Sequence, residues 1–134
     1  MFQPFPFFIE FTEPELWFIA MALVLSVMDV LTGFVGAAIR GQISSTKMRE
    51  GLGHKMVLVL MIVMAVLLQG FTTHIGDTGW NVPLIMPVCG YIAVMEVASI
   101  VENAKGAYPE IADSPLFRLF DNSSDSDDGD GGDL

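Results

Sequence analysis

Apolar residues run in three long blocks along the chain, and polar stretches separate these blocks. The blocks lie at about 16–39, 56–73 and 82–101. Each is close to the roughly 20 apolar residues that a helix needs to cross a bilayer. Apolar and polar residues do not alternate within them, as they would in a half-buried strand. The pattern therefore predicts an all-α membrane protein with about three transmembrane helices.

The third block contains two prolines, whose positions bear on where its helix begins. Pro83 suits the start of a helix, because the first turn leaves its N–H groups unbonded. Pro87 lies further in, and we expect it to kink the first turns. The second block, "MVLVLMIVMAVLLQGFTT", has no acid or base and is the clearest of the three spans.

The rest of the chain flanks a membrane domain at residues 16–110. Residues 1–15 are aromatic and proline-rich, and we expect them to lie in the outer headgroup region, with a pore plug or partner motif as the alternative. Residues 40–55 form a loop that could hold a short helix. Residues 111–134 form an acidic tail, expected to be disordered from about residue 121.

The basic residues predict how the chain is oriented. Cytoplasmic loops of membrane proteins carry an excess of Lys and Arg. Every base can be placed on one side of the membrane if the N-terminus is outside and both the 40–55 loop and the C-terminus are cytoplasmic. Trp17 and Trp80 then fall at the outer interface, where indole rings tend to lie. The topology determinants are Arg40, Lys47, Arg49, Lys55 and Lys105, with Arg118 further along.

The amino-acid composition agrees with a membrane protein. Just over half of the residues are apolar, at 52%. Six of the sixteen acids lie in the last fourteen residues, and without them the net charge changes from −10 to −4. Six scattered bases form no basic stripe, so nucleic-acid binding is not expected. Cys89 is the single cysteine and is expected to be a small buried packing residue.

Small and polar residues form a stripe along two of the predicted helices. Spacings of three and four place such residues on one face of a helix. In the first helix this face holds Ala22 and a series from Ser26 to Arg40; in the third it holds Cys89 and Ala93 and then polar residues. The predicted pore-lining or helix-packing residues are Ser26, Asp29, Thr32, Gly33, Gly36, Arg40, Glu96, Ser99 and Asn103.

Asp29 and Glu96 are carboxylic acids inside predicted membrane spans. A charge at the centre of such a helix costs on the order of 2.5–3.5 kcal/mol, so the group is expected to face protein or water. Three interpretations are open. The two acids could hold a static bundle together, either protonated or paired. They could line an aqueous path formed by several copies. They could also relay protons or ions in a transporter.

No pattern in the sequence indicates an enzyme. His54 and His74 fall on opposite sides of the membrane in the predicted topology, so they cannot share a site. There is no nucleophile elbow, phosphate loop or metalloprotease motif. We therefore expect no catalytic residue, no bound metal and no cofactor.

Several short elements resemble one known family. The stretches are "MDVLTGFVGAAIRGQISSTKMREGLGHK" and "AVMEVASIVENAKGAYPEI", on either side of an apolar helix. They are similar to the small phage-lysis and toxin-secretion holins. The matching positions are Asp29, Thr32 and Gly33; Ser44 and Ser45; Gly51, Leu52 and Lys55; and Glu96, Ser99, Ile100, Glu102, Asn103, Gly106 and Pro109. The match covers about residues 22–115.

The resemblance implies a multi-pass protein of the bacterial cytoplasmic membrane that accumulates there, forms homo-oligomers and permeabilises the bilayer. An endolysin or a toxin would then cross for host cell lysis or secretion. Two alternatives stay open from the residues themselves. One is a small ion or proton channel or transporter subunit, favoured by the two membrane acids. The other is a membrane anchor of a secretion or phage-like particle system, with the acidic tail as its docking segment.

Overall fold

Three long helices form the described part of the chain in a computed structural model, which describes residues 10–75, 82–115 and 118. Helix α1 spans Glu13–Ile39, α2 spans Ser45–His74 and α3 spans Ile85–Ala107. A short 3₁₀ helix, Pro109–Asp113, follows α3. These residues contain no strand. The all-helical prediction is thus confirmed. The N-terminal segment before residue 10, Trp80 and the tail from residue 121 lie outside the described residues.

All three helices are long and apolar enough to cross a membrane, with mean hydropathies of 2.2, 2.3 and 1.6 over their most apolar stretches. At about 1.5 Å per residue, even α3 is longer than the roughly 30 Å of a bilayer core. Their outward faces carry large apolar side chains. Val24, Leu60 and Val94, one on each helix, are 59%, 61% and 70% exposed. In a membrane such faces contact lipid.

Local sequence explains both ends of α1. The Thr12 side chain accepts a hydrogen bond from the backbone N–H of Glu15, and the Glu15 side chain accepts one from the backbone N–H of Thr12 at 3.0 Å. This reciprocal capping box satisfies two N–H groups that the helix leaves free. At the other end Gly41 has a φ of 65°. This left-handed conformation, with the hydrogen bond from Gln42 N to Ala37 O at 2.9 Å, ends the helix in a Schellman motif.

Helix α2 begins much earlier than the apolar pattern predicts. It starts at Ser45, with the Ser44 side chain accepting from Lys47 N, and not near residue 56. The predicted 40–55 loop is wrong in this respect, since only residues 40–44 connect α1 to α2. The first turns of α2 are polar and exposed. Helical hydrogen bonding does not require an apolar face, so hydropathy alone missed them.

Helix α3 begins slightly later than predicted, which changes the role of its prolines. Pro83 precedes the helix, and Pro87 lies in the first turn after Ile85. The N–H groups of a first turn have no partner within the helix, so Pro87 removes no helical hydrogen bond. The expectation that Pro87 kinks the early turns rested on a helix beginning near residue 82.

The helices run alternately up and down, and α1 packs chiefly against α3, whereas α2 touches both more sparingly. An apolar layer lies in the middle of the bundle, formed by the buried Ala22, Ile62, Ile85, Cys89 and Ile92 with Phe18, Ile19, Leu58, Val66 and Val88 around them. Cys89 is a fully buried member of this layer, consistent with its predicted packing role. Polar side chains occupy the two levels above and below it.

Candidate functional site

Three charged side chains from the three helices meet in the interior of the bundle. Lys55 Nζ of α2 lies 2.5 Å from Asp29 Oδ2 of α1, and it also forms an ion pair with Glu96 Oε2 of α3. Asp29 is 9% exposed and Glu96 only 3%. One ammonium group is therefore shared by two buried carboxylates. We refer to Asp29, Lys55 and Glu96, together with Thr32 and Asn103, as the charged layer.

The up-and-down arrangement places the three charged residues at one level. Asp29 lies about ten residues before the end of α1, Lys55 about ten after the start of α2, and Glu96 about eleven before the end of α3. At 1.5 Å per residue, each is roughly 15 Å from the end of the bundle where Ile39, Ser45 and Ala107 meet. Because α2 includes the polar turns from Ser45 onward, Lys55 lies ten residues inside the helix and reaches the level of the two acids.

Asn103 and Thr32 complete the coordination of Asp29. Asn103 Nδ2 donates to Asp29 Oδ1 at 2.9 Å and also lies 3.2 Å from both Asp29 O and Thr32 Oγ1. The Thr32 hydroxyl donates to Asp29 O at 3.1 Å. No fully buried side-chain N or O atom within the described residues lacks a partner. The Asp29 carboxylate is thus held in place by α3 independently of Lys55.

The electrostatics of this layer are unbalanced. Two carboxylates face one ammonium, so the three side chains carry a net negative charge whenever both acids are ionised. Removing charges from water costs several kcal/mol per ion, and close pairing with additional hydrogen bonds offsets that cost. Lys55 is consequently the group on which the burial of both acids depends.

Small residues let α1 and α3 approach closely beside the charged layer. A Cβ added to Gly33 would lie 3.4 Å from Asn103 Nδ2, and one on Gly36 would lie 3.6 Å from the Ala107 Cβ. A Cβ on Gly106 would be 2.7 Å from Arg40 Nη1, so the Arg40 guanidinium lies against the end of α3. A cation is favourable there, because the C-terminus of a helix carries partial negative charge.

A second polar level lies at the opposite end of the bundle. Gln69 Nε2 donates to Glu15 Oε1 at 2.7 Å, and Gln69 Oε1 accepts from the backbone N–H groups of Leu84 and Ile85 at 2.9 Å each. No side chain of its own caps the start of α3. Gln69 therefore caps α3 from α2 and holds α1 at the same time. We call these groups the amide layer.

The structure brings some of the predicted residues together and leaves others apart. Asp29, Thr32, Glu96 and Asn103 belong to the charged layer, and Gly33 and Gly36 lie at the α1–α3 contact. Ser26 and Ser99 are half-buried. Among the predicted topology determinants, the residues outside the charged layer are exposed or half-buried near the Ile39 end: Arg40, Lys47, Arg49 and Lys105.

Sequence reasoning missed two polar residues of the interior. The apolar pattern places Lys55 in a loop as a topology determinant, although the residue directly precedes the longest apolar run and matches a family element. Gln69 was not singled out, although it is the one amide in the second apolar block. A polar side chain inside a membrane span needs a partner within the protein, and this requirement indicates that Lys55 and Gln69 contact other helices.

Comparison with known proteins identifies the class. Residues 8–109 match the model of the bacteriophage holin family. The matched range includes the whole charged layer, the apolar layer and the amide layer. The chain belongs to the bacteriophage holin family, and it is a multi-pass protein of the cytoplasmic membrane. Membrane association and oligomerisation are properties of this family, whose members permeabilise membranes and are not typically enzymes.

A curated relative is also similar to part of this chain. The cytoplasmic tRNA 2-thiolation protein 2 of Kluyveromyces lactis is 33% identical over 97 residues, which is 72% of this chain and 21% of that protein. The chain thus spans about a fifth of the relative's length. No solved structure matches the chain.

Proposed function

We propose that this holin family member oligomerises in the bacterial cytoplasmic membrane and permeabilises it. The observation that carries the proposal is the charged layer, a set of buried ionisable groups in close contact inside helices whose outer faces are apolar. Charged groups within membrane spans mark places that face protein or water. One lysine keeps both acids satisfied in the single chain, so the molecule can rest in the bilayer without exposing them.

The predicted stripe residues would face water in the assembled state. The polar faces of α1 and α3 meet each other in the single chain, and α2 covers them with few contacts. If copies gather and α2 moves aside, these faces become the lining of an aqueous lesion. The proposed lining consists of Ser26, Asp29, Thr32, Gly33, Gly36, Arg40, Glu96, Ser99 and Asn103.

The proposed orientation places the Ile39 end of the bundle in the cytoplasm. Arg40, Lys47, Arg49 and Lys105 all lie near that end, whereas the other end carries Glu13 and Glu15 in the first turn of α1. An excess of bases on the cytoplasmic side supports this choice. The charged layer then lies nearer the cytoplasm, and an endolysin or a secreted toxin would be the cargo that crosses the lesion.

Inducible expression in a bacterium tests the proposal. The chain should stop growth abruptly, collapse the membrane potential and release a co-expressed cytoplasmic cell-wall hydrolase. Asp29→Leu and Glu96→Leu should shift the time of lysis or abolish it while the protein still inserts. Permeabilisation on the original schedule by both variants would show that the two acids have no part in the lesion.

An ion or proton channel, or a transporter subunit, is the second candidate, and the buried Lys55–Asp29–Glu96 arrangement favours it. Chains of acids within spans serve as proton relays in pumps and transporters. Such a protein would conduct small ions but leave cells intact and the hydrolase inside. A membrane anchor that docks through its acidic tail is distinguished by deleting residues 121–134, which would then abolish function.

A further inference from the structure

Within the described residues, helix α2 contacts the rest of the bundle through few buried apolar residues and a small number of polar side chains. Of its thirty residues, only Ile62 and Ala65 are buried, whereas α3 buries five residues in a shorter helix. Lys55 in the charged layer and Gln69 in the amide layer bind side chains of α1 and α3, and the Thr72 hydroxyl accepts from the backbone N–H of Val82, just before α3. The specificity of the α2 position therefore depends largely on two side chains near opposite ends of its membrane span.

The site that receives Lys55 is built entirely by α1 and α3. Asn103 of α3 holds the Asp29 carboxylate, and Glu96 lies on α3 itself, so both acidic groups of the site belong to α1 and α3. The result is a recess with two negative groups and no positive group of its own. Its electrostatic complement is a single ammonium at the depth of Lys55.

We propose that copies of this chain exchange α2, so that Lys55 of one copy binds Asp29 and Glu96 of its neighbour. The inference rests on the oligomerisation in the proposed function and names the contact that builds the oligomer. A second copy is the occupant of the recess. In two copies side by side in the membrane, Lys55 of one lies at the same depth as Asp29 and Glu96 of the other. Gln69 of the exchanged helix would cap α3 of the neighbour in the same way.

Exchange also answers the charge problem that separation of α2 creates. Before water fills a lesion, a helix that merely swings away leaves two carboxylates and one ammonium unpaired in the membrane, so exchange is the assembled state that precedes the lesion. Exchange remakes each ion pair with the corresponding group of another copy, so every copy in a closed ring, and every internal copy of an open array, has its carboxylates paired again. Repeated from copy to copy, the contact is head-to-tail and forms a ring or an open array.

The connections are long enough for this rearrangement. Residues 40–44 join α1 to α2, and five extended residues span up to about 17 Å. Neighbouring helix axes lie about 8–10 Å apart, so α2 can reach the α1–α3 pair of an adjacent copy. Residues 75–84 join α2 to α3 and provide a longer connection. The shorter connection contains Gly41, whose φ is positive. Glycine adopts many backbone conformations, so this connection can change its path.

Thiol cross-linking between two kinds of full-length chain tests the exchange. One chain carries Ile62→Cys with Cys89→Ala, so its thiol is on α2; the other is unaltered, with its thiol at Cys89 on α3. Both positions belong to the apolar layer. The two chains carry different tags, are co-expressed, and are treated in the membrane with a short thiol-specific cross-linker. Ala65→Cys replaces Ile62→Cys in a second pair, and Leu60→Cys, on the exposed face of α2, gives the matched control.

Exchange predicts a covalent dimer carrying both tags for Ile62→Cys or Ala65→Cys, at several times the yield for Leu60→Cys. A further chain that carries both Ile62→Cys and the natural Cys89 reports the contact within one copy. Cross-linking within this chain, with no dimer carrying both tags from the mixed pair, contradicts the exchange. That result overturns the exchange even where the tagged chains copurify as an oligomer. Growth arrest by the unaltered chain is scored separately, so failure of exchange is distinguishable from failure of the proposed function.

Discussion

Lys55 Nζ lies 2.5 Å from Asp29 Oδ2, although the two residues are on different helices and 26 positions apart in the sequence. The same nitrogen pairs with Glu96 on the third helix. One side chain thus joins all three helices within the membrane domain. The stability of the fold and the proposed assembly both depend on this residue.

Replacing Lys55 by Met should destabilise the monomeric fold. It leaves two buried carboxylates without a cation, and breaking a buried pair in this way costs about 3–5 kcal/mol. The free energy of unfolding, measured by denaturation in detergent micelles, should fall by that amount. Lys47→Met is the matched control, because Lys47 is exposed in the first turn of α2. Equal decreases in the free energy of unfolding for the two variants would show that the ion pairs of Lys55 do not stabilise the fold.

Replacing Glu96 by Gln should be far milder than replacing Lys55. The amide keeps an oxygen that accepts from Lys55, while the remaining pair with Asp29 is balanced in charge. We expect the free energy of unfolding to fall by about 0.5–1.5 kcal/mol, the range of a typical net hydrogen bond. A loss as large as that of Lys55→Met would mean that Glu96 is needed in its ionised form.

Gln69→Leu should loosen the end of the bundle that carries the amide layer. It leaves the N–H groups of Leu84 and Ile85 without their acceptor and Glu15 Oε1 without the Gln69 donor. A buried group left unsatisfied costs about 1–3 kcal/mol. Hydrogen exchange at Leu84 and Ile85 should speed up accordingly, whereas the exposed Gln42→Ala should leave it unchanged. Unaltered exchange in the Gln69 variant would contradict the capping role.

Substitutions of Gly36 should show whether this glycine matters for the close approach of α1 and α3 or only for the helix propensity of α1. A Cβ there meets ordinary distances of 3.6–3.8 Å, so Gly36→Ala should be tolerated. Gly36→Leu needs volume that Ala107 and the Asn103 backbone occupy, and overpacking of this kind costs about 1–3 kcal/mol. Gly51→Leu is the control, since nothing lies within 4 Å of its added Cβ. A stable Gly36→Leu variant would show that α1 and α3 do not need this approach.

The sequence predicts the helix count well, and the partners of the polar side chains poorly. Long apolar blocks identify the spans because a bilayer imposes a minimum length. The spacing from Ser26 to Arg40 identifies one face because helical geometry is fixed. Where α2 begins depends on hydrogen bonding by exposed polar turns, which hydropathy does not register. Because α2 begins at Ser45, Lys55 lies inside a helix and not in a loop, and hydropathy does not predict its pairing with Asp29.

Release of dyes from vesicles tests the central claim, that copies of the chain assemble and permeabilise a membrane. The purified full-length chain is added at increasing protein-to-lipid ratio to vesicles of phosphatidylethanolamine and phosphatidylglycerol loaded with dyes ranging from small molecules to protein-sized dextrans. We expect release to rise steeply above a threshold ratio and to include the largest dextrans. A chain that stays monomeric and leaves every dye inside would contradict the account.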